Sequence, residues 1–270
     1  MWIEVRGKMD KFNNKNENGN EVEKFHENYI EGRNAVLEAY RSGKTIDKLF
    51  VLDGCQDGPI KSITREARKH DSIINYISKD RLDQMSETGK HQGVIAVSAA
   101  YSYAEVDDIL KIAKDKGEAP FIFILDGIED PHNLGAIIRT ANLAGAHGVI
   151  IPKRRAVGLT PTVAKTSAGA INYTPVAKVT NISNTIKELK DQGMWFVCAD
   201  MGGTDMYDLN LTGPIGLVIG NEGDGVSKLV KENCDMVASI PMKGDIDSLN
   251  ASVATGVLAY EIVRQRLKKG

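Results

Sequence analysis

Three short stretches hold residues whose types and spacing could do chemistry. The first is "DGIEDPHNLGAIIRTANLAGAHG", residues 126–148, in which an apolar run gives way to a helical pattern. Asn133 stands where an N-cap is expected, and Leu134, Ile137, Ile138 and Ala141 form an apolar stripe. Arg139 falls on the opposite face of that helix. On an isolated helix such an arginine is ordinary solvated surface. Here it follows the carboxyl end of a predicted strand, the edge along which α/β proteins bind ligands, so Arg139 becomes a candidate for ligand contact.

The second stretch, "GLVIGNEGDGVSKLV", reads as a strand, the loop Gly220–Gly225, then a helix. A glycine loop opening a helix usually suggests phosphate. This one runs G-x-x-G-x-G, lacks the lysine of a P-loop and carries Glu222 and Asp224, which would repel a pyrophosphate. It suits a neutral or cationic ligand better. The third stretch, "IPMKGDIDSLNASVATGVLAYE", leads a Gly- and Asp-rich loop into a helix whose polar side chains are few beyond Ser252 and Thr255. A helix apolar nearly all round is expected to be buried. Ser248 is expected to cap it, and Asn250 to be a buried amide in need of partners.

The elements that must position these residues follow from the pattern. From Phe121 onward the runs "FIFILDG", "GVIIP", "MWFVCAD" and "IGLVIG" read as strands of a mostly parallel sheet covered on both faces. Helices are predicted at 134–145, about 161–168, 183–192, 227–233 and about 249–268. Residues 26–103 read as a small α/β domain, with strands at "IDKLFVLDG", "IINYIS" and "GVIAVSA". An amphipathic helix over 104–120 is the expected linker, leaving 121–270 as the larger domain. Residues 1–25, rich in Asn, Lys and Glu, are expected to be a disordered tail.

Composition narrows the class. With 42% hydrophobic and 26% charged residues and a net charge of −2, the chain reads as soluble and globular. Bulk charge does not announce a nucleic-acid binder, so any such contact must come from a local basic patch. Cys55, Cys198 and Cys234 show no CxxC spacing, which suits a reducing cytoplasm and gives no hint of zinc. No HxxxH pair suggests a metal, no apolar run approaches the ~20 residues of a membrane span, and the amino terminus is not a secretory signal.

Together the three stretches resemble the motifs of the SpoU (TrmH-like) RNA 2'-O-ribose methyltransferases. Asn133-Leu134-Gly135 through Arg139-Thr140-Ala141 is similar to motif 1, Ile219 through Gly223 to motif 2, and Ile240-Pro241-Met242 through Ser248-Leu249-Asn250 to motif 3. "EGRNAVLEAY" and "HQGVIA" resemble the L30e-like substrate-binding domain of the RlmB subgroup, so the likeness spans roughly 26–268. It implies a trefoil-knotted α/β methyltransferase domain, a homodimer, and S-adenosylmethionine as methyl donor. By position the donor would meet Gly220, Ile240 and Leu249, with Cys198 and Ala199 nearby. Arg139 would activate the ribose hydroxyl, grip an RNA phosphate or stabilise the developing alkoxide. Asn133 and Asn250 would orient substrate or loops, Ser248 would hydrogen bond in the active site, and Glu222 would fix the motif 2 loop or a neighbouring arginine.

RNA contact requires cations. Lys153-Arg154-Arg155 follows a predicted strand and is the sharpest cluster. Within 26–103 acids and bases balance, so Arg33, Arg41 and Lys44 are the expected patch of the small domain, or else it reads RNA by shape. The resemblance favours a guanosine of 23S rRNA as substrate over tRNA. Two other classes compete: a non-catalytic RNA-binding module, against which the five intact candidates argue, and a nicotinamide enzyme, against which the glycine order argues.

Overall fold

A strand with apolar residues at every position must be covered on both faces, and this requirement organises the larger part of the molecule. The computed structural model describes residues 28–246 and 248–269; the expected tail over 1–25 lies outside them. Six strands form one sheet in which every pairing is parallel. They are β5 (Phe121–Asp126), β6 (Gly148–Pro152), β7 (Val176–Val179), β8 (Trp195–Asp205), β9 (Ile215–Gly220) and β10 (Met236–Ser239), in the order β10-β8-β9-β5-β6-β7. Alternation along β5 splits its side chains. Phe121, Phe123 and Leu125 join the core under α5 (Pro131–Leu143), α6 (Pro161–Thr166) and α9 (Ala251–Lys269). Ile122 and Ile124 join the core under α4 (Val106–Lys116), α7 (Ile182–Asp191) and α8 (Lys228–Asn233). At roughly 1.5–3 kcal/mol for each large side chain buried, these two layers dominate stability.

The strand order reverses between β5 and β9. The chain moves outward from β5 through β6 to β7, then returns to fill β8, β9 and β10 on the other side. Such a switch point opens a crevice at the carboxyl ends of the strands. Motif 1 leaves β5 and motif 2 leaves β9, the two strands that flank it.

The smaller sheet, ordered β1-β4-β2-β3, consists of β1 (Asn28–Glu31), β2 (Ile46–Leu52), β3 (Ile73–Ile77) and β4 (Val94–Ser98). Its core packs α1 (Arg33–Arg41) and α2 (Gly58–Lys69) on one face through Val36, Leu49, Ile60 and Ile63. The two sheets are joined by specific bonds. Lys178 Nζ lies 2.6 Å from Asp47 Oδ1, and the Tyr103 hydroxyl donates to Asp47 Oδ2 at 3.0 Å while accepting from Leu159 N at 3.0 Å. Burial, with the Asp47 carboxylate beside it, pushes the Tyr103 phenol far above its ordinary value, so it stays a donor. The segment expected as a linker is integral to the large body: Ala104 N bonds Val176 O at 2.9 Å, and Ile109 of α4 packs directly against Gly148.

Four expectations need correction. Asp130, not Asn133, caps α5, accepting from His132 N at 2.9 Å; Pro131 with its preset φ takes the first helical position and moves Asn133 into the first turn. Asn250, not Ser248, caps α9, its Oδ1 accepting from Ser252 N at 3.0 Å, because the helix starts at Ala251. Nor is α9 buried all round. Ala251, Leu258, Ala259 and Ile262 face the core, whereas Val253 and Tyr260 are half exposed and Leu267 is 77% exposed. Asn250 is likewise exposed in the chain, and the buried amide is Asn133.

Candidate functional site

The three motifs meet through side-chain amides and one carboxylate. Asn133 donates to Glu222 Oε1. Asn250 Nδ2 donates both to Asn133 Oδ1 at 3.1 Å and to Glu222 Oε1 at 3.0 Å. Asn133 is 5% exposed and so requires these partners. Glu222 thus serves two amides, and among the described residues it pairs with no arginine. Asn250 uses its oxygen for the helix start and its nitrogen for the cluster, which fixes where α9 begins relative to α5.

The motif 2 loop is shaped by groups that the sequence reading passed over. Asn221 Oδ1 accepts from Gly223 N at 2.6 Å and Asp224 N at 2.9 Å, and its backbone bonds Gly225 in both directions. This is an Asx-type turn, and an Asn followed by glycines two and four residues on was its legible signal. Gly220 admits no side chain, because a Cβ there would collide with the backbone of Gly225 and Val226. Asp126, the last residue of β5, accepts from Ser227 N at 2.8 Å and ties the far end of the loop to the switch point. Gly135 lets α5 lie against α6: a Cβ would stand 2.6 Å from Thr166 Cβ and 2.9 Å from Val163 O.

Arg139 lies six residues beyond Asn133 on α5, about 9 Å along the axis. It is exposed and makes no ion pair among the described residues. Among the described residues no hydrogen bond engages its guanidinium, whose fork of donors suits a carboxylate, phosphate or alkoxide. Ser248 is exposed, two residues before Asn250 in the chain.

The expected donor contacts fall on or just after the neighbouring strands β8, β9 and β10, with Leu249 before α9. Cys198 and Ala199 lie on β8 and Gly220 ends β9, where Cys198 pairs with Val218; Ile240 follows β10, whose Val237 pairs with Cys198. Leu249 is 38% exposed beside Asn250. Cys198 itself is fully buried, its thiol drawn below the ordinary value first by a hydrogen bond with Cys234, against the upward push of burial.

Of the expected RNA contacts, Lys153 is committed to Asp71 of the small domain at 2.9 Å, while Arg154 and Arg155 are exposed. Arg33 pairs with Asp57 at 2.7 Å and Arg41 with Glu38 at 3.8 Å. These two arginines stand at opposite ends of α1, about 12 Å apart along its axis. Lys44 is exposed near the junction of the two sheets. Among the described residues no cluster of His, Cys, Asp or Glu could hold a metal, and no helix is long and apolar enough to cross a membrane.

Residues 120–260 match the SpoU rRNA Methylase family, and residues 29–104 match the family described as RNA 2'-O ribose methyltransferase substrate binding. The chain belongs to the SpoU methylase family. A relative from Bacillus subtilis (strain 168), YacO, named as a TrmH family tRNA/rRNA methyltransferase, is 50% identical over 88% of this chain and 96% of its own. The SpoU methyltransferase AviRb from Streptomyces viridochromogenes, solved with AdoMet, superposes with a TM-score of 0.57 at 26% identity, covering 88% of this chain and 90% of that one. The TrmH/SpoU tRNA modifying enzyme of A. aeolicus does so with a TM-score of 0.52 at 31% identity, over 57% of this chain and 78% of its own. As a SpoU protein the chain is an S-adenosylmethionine-dependent RNA methyltransferase.

Proposed function

We propose that this enzyme methylates a ribose 2'-hydroxyl of RNA, with a guanosine of 23S rRNA as the target. The observation that carries the reading is the Asn133–Glu222–Asn250 cluster, which joins three motifs at the switch point, with Arg139 exposed further along α5. When bound, S-adenosylmethionine supplies an electrophilic methyl group on a sulfonium ion. A 2'-hydroxyl is a weak acid, so its oxygen must be aligned and relieved of its proton. A guanidinium is a poor base but a good partner for an alkoxide or phosphate, and Arg139 takes that role. Asn133, Glu222 and Asn250 hold the helix starts in register, and Ser248 offers a hydroxyl to the sugar. Gly220, Ile240, Leu249, Cys198 and Ala199 would hold the donor through strand-end backbone and apolar contact.

The domain matching the 2'-O-ribose substrate-binding family supports the sugar, and the resemblance of the small domain to the RlmB subgroup is the ground for proposing rRNA over tRNA. The enzyme is proposed to act in the cytoplasm as a homodimer. Val253, Tyr260 and Leu267, spaced seven apart on α9, present one exposed apolar stripe that a second copy would cover. We further propose that the return of the chain from edge strand β10 to α9, packed on α5 and β9, closes a trefoil knot.

Mapping 2'-O-methyl groups in RNA from cells lacking this protein tests the substrate. Loss of one mark in 23S rRNA is expected. Loss from tRNA instead would overturn the rRNA assignment, and no loss from either would overturn the activity.

A further inference from the structure

The groove between the two sheets has a composition that the catalytic cluster does not use. Lys48 and Phe50 project from one face of β2 and pair in register with Ile73 and Asn75 on the edge strand β3. Arg154 and Arg155 reach over from the large domain and complete a groove of about 410 Å³. Its lining holds three cations, a half-buried aromatic ring and no acid, and Lys48, Arg154 and Arg155 make no ion pair among the described residues.

The arginine loop is held in place rather than draped. Lys153 N bonds Val179 O at 2.8 Å, its ammonium pairs with Asp71, and Val157 N bonds Ile128 O at 2.9 Å. Between these anchors Arg155 adopts φ 56°, a left-handed conformation that is costly for a residue bearing a side chain. The loop also touches the catalytic side. A Cβ built on Gly127 would lie 3.6 Å from Asn221 Cβ and 3.8 Å from the Arg155 carbonyl, so the basic loop and the motif 2 loop flank one glycine. A strand of RNA with its ribose at the catalytic cluster would therefore run past Arg155 toward Phe50.

We propose that this groove holds single-stranded nucleotides flanking the methylated one, with Lys48, Arg154 and Arg155 on phosphates and a base stacked on Phe50. Cations beside one aromatic ring, without paired acids, are the arrangement that recognises an unpaired strand. The inference rests on the proposed RNA substrate and deepens it, because it makes the small domain a guide for the strand and not only an anchor.

The test compares wild type with Lys48→Ala, Arg154→Ala/Arg155→Ala and Phe50→Leu, using deproteinised 23S rRNA and an eight-nucleotide single strand as probes. Melting temperature and S-adenosylmethionine binding are the controls for folding. Each cation removed should lower the slope of log affinity against log salt by about 1. Phe50→Leu should weaken binding about tenfold while leaving the slope unchanged. Wild-type affinity and slope in all three folded variants would overturn the groove while leaving the activity intact. Failure of the wild type itself to bind either RNA, with donor binding retained, would instead sink the proposed substrate. Weaker binding to 23S rRNA alone, with the short strand unaffected, would also count against a single-stranded occupant.

Discussion

Two polar networks lie at opposite ends of the large sheet, and α9 contributes to both. At the carboxyl ends, Asn250 opens the helix and meets Asn133 and Glu222. At the amino ends, Arg266 near its close donates to Ala119 O, Pro120 O and Gly213 O at 3.2, 3.0 and 2.8 Å and lies over the Phe121 ring. Nearby, His147 Nδ1 accepts from Phe121 N at 3.0 Å, so the neutral ring carries its proton on Nε2, 3.0 Å from Glu118. Arg266 spends itself on backbone carbonyls. The cluster at the carboxyl ends bonds side chain to side chain, and Arg139, further along α5, is exposed with no ion pair among the described residues. Similar polar chemistry thus fastens strands at one end and, on the proposed reading, positions reactants at the other.

Substitutions at each end can break this contrast. Arg139→Ala should cost most, lowering single-turnover methyl transfer by about 10²–10³-fold with an unchanged melting temperature. A near-wild-type rate with RNA binding retained would remove Arg139 from the chemistry. Glu222→Ala leaves the buried Asn133 amide without its carboxylate acceptor. It should slow transfer and cost about 1 kcal/mol in denaturant unfolding, and Glu222→Gln, which keeps one acceptor, should lose less of both. Arg266→Met is expected to lower stability by about 1–3 kcal/mol while the folded fraction keeps its rate. A loss of rate at unchanged stability would show that the amino end is not mere fastening.

The smallest effect concerns pH. Burial lowers the His147 pKa, opposed by Glu118, so the folded protein prefers the neutral ring. The unfolded chain takes up a proton first as pH falls below about 6.5. The stability contributed by His147 is therefore complete above that value and is lost as pH falls toward the folded value. Unfolding measured at pH 7.5 and pH 5.5 should show a shallower decline for His147→Gln than for wild type. Parallel declines would remove the histidine from the network's pH response.

The elements legible in the sequence were those with cover on both sides. "FIFILDG", "GVIIP", "MWFVCAD" and "IGLVIG" announce β5, β6, β8 and β9 because central parallel strands must be apolar throughout. The strands β1, β7 and β10, at "NYIE", "VAKV" and "MVAS", gave no such signal. Each has only four residues and each lies at the edge of its sheet, where half-cover permits Lys, Ser and Glu. Helix starts misled for a related reason. Asp130 and Asn133 can both cap, and so can Ser248 and Asn250; which one does depends on where Pro131 sets the first turn and where neighbouring amides pull.

The sequence by itself determined the residue types, the strand–helix alternation and the acidic, phosphate-averse loop of motif 2, since these are properties of single segments. Tertiary structure alone decided that residues 89 and 117 positions apart share hydrogen bonds. It also decided that Lys153 is tied to Asp71 while Arg154 and Arg155 form no ion pair among the described residues, and that one face of α9 remains uncovered. Pairing and exposure depend on what the rest of the chain brings alongside, and no local pattern encodes that.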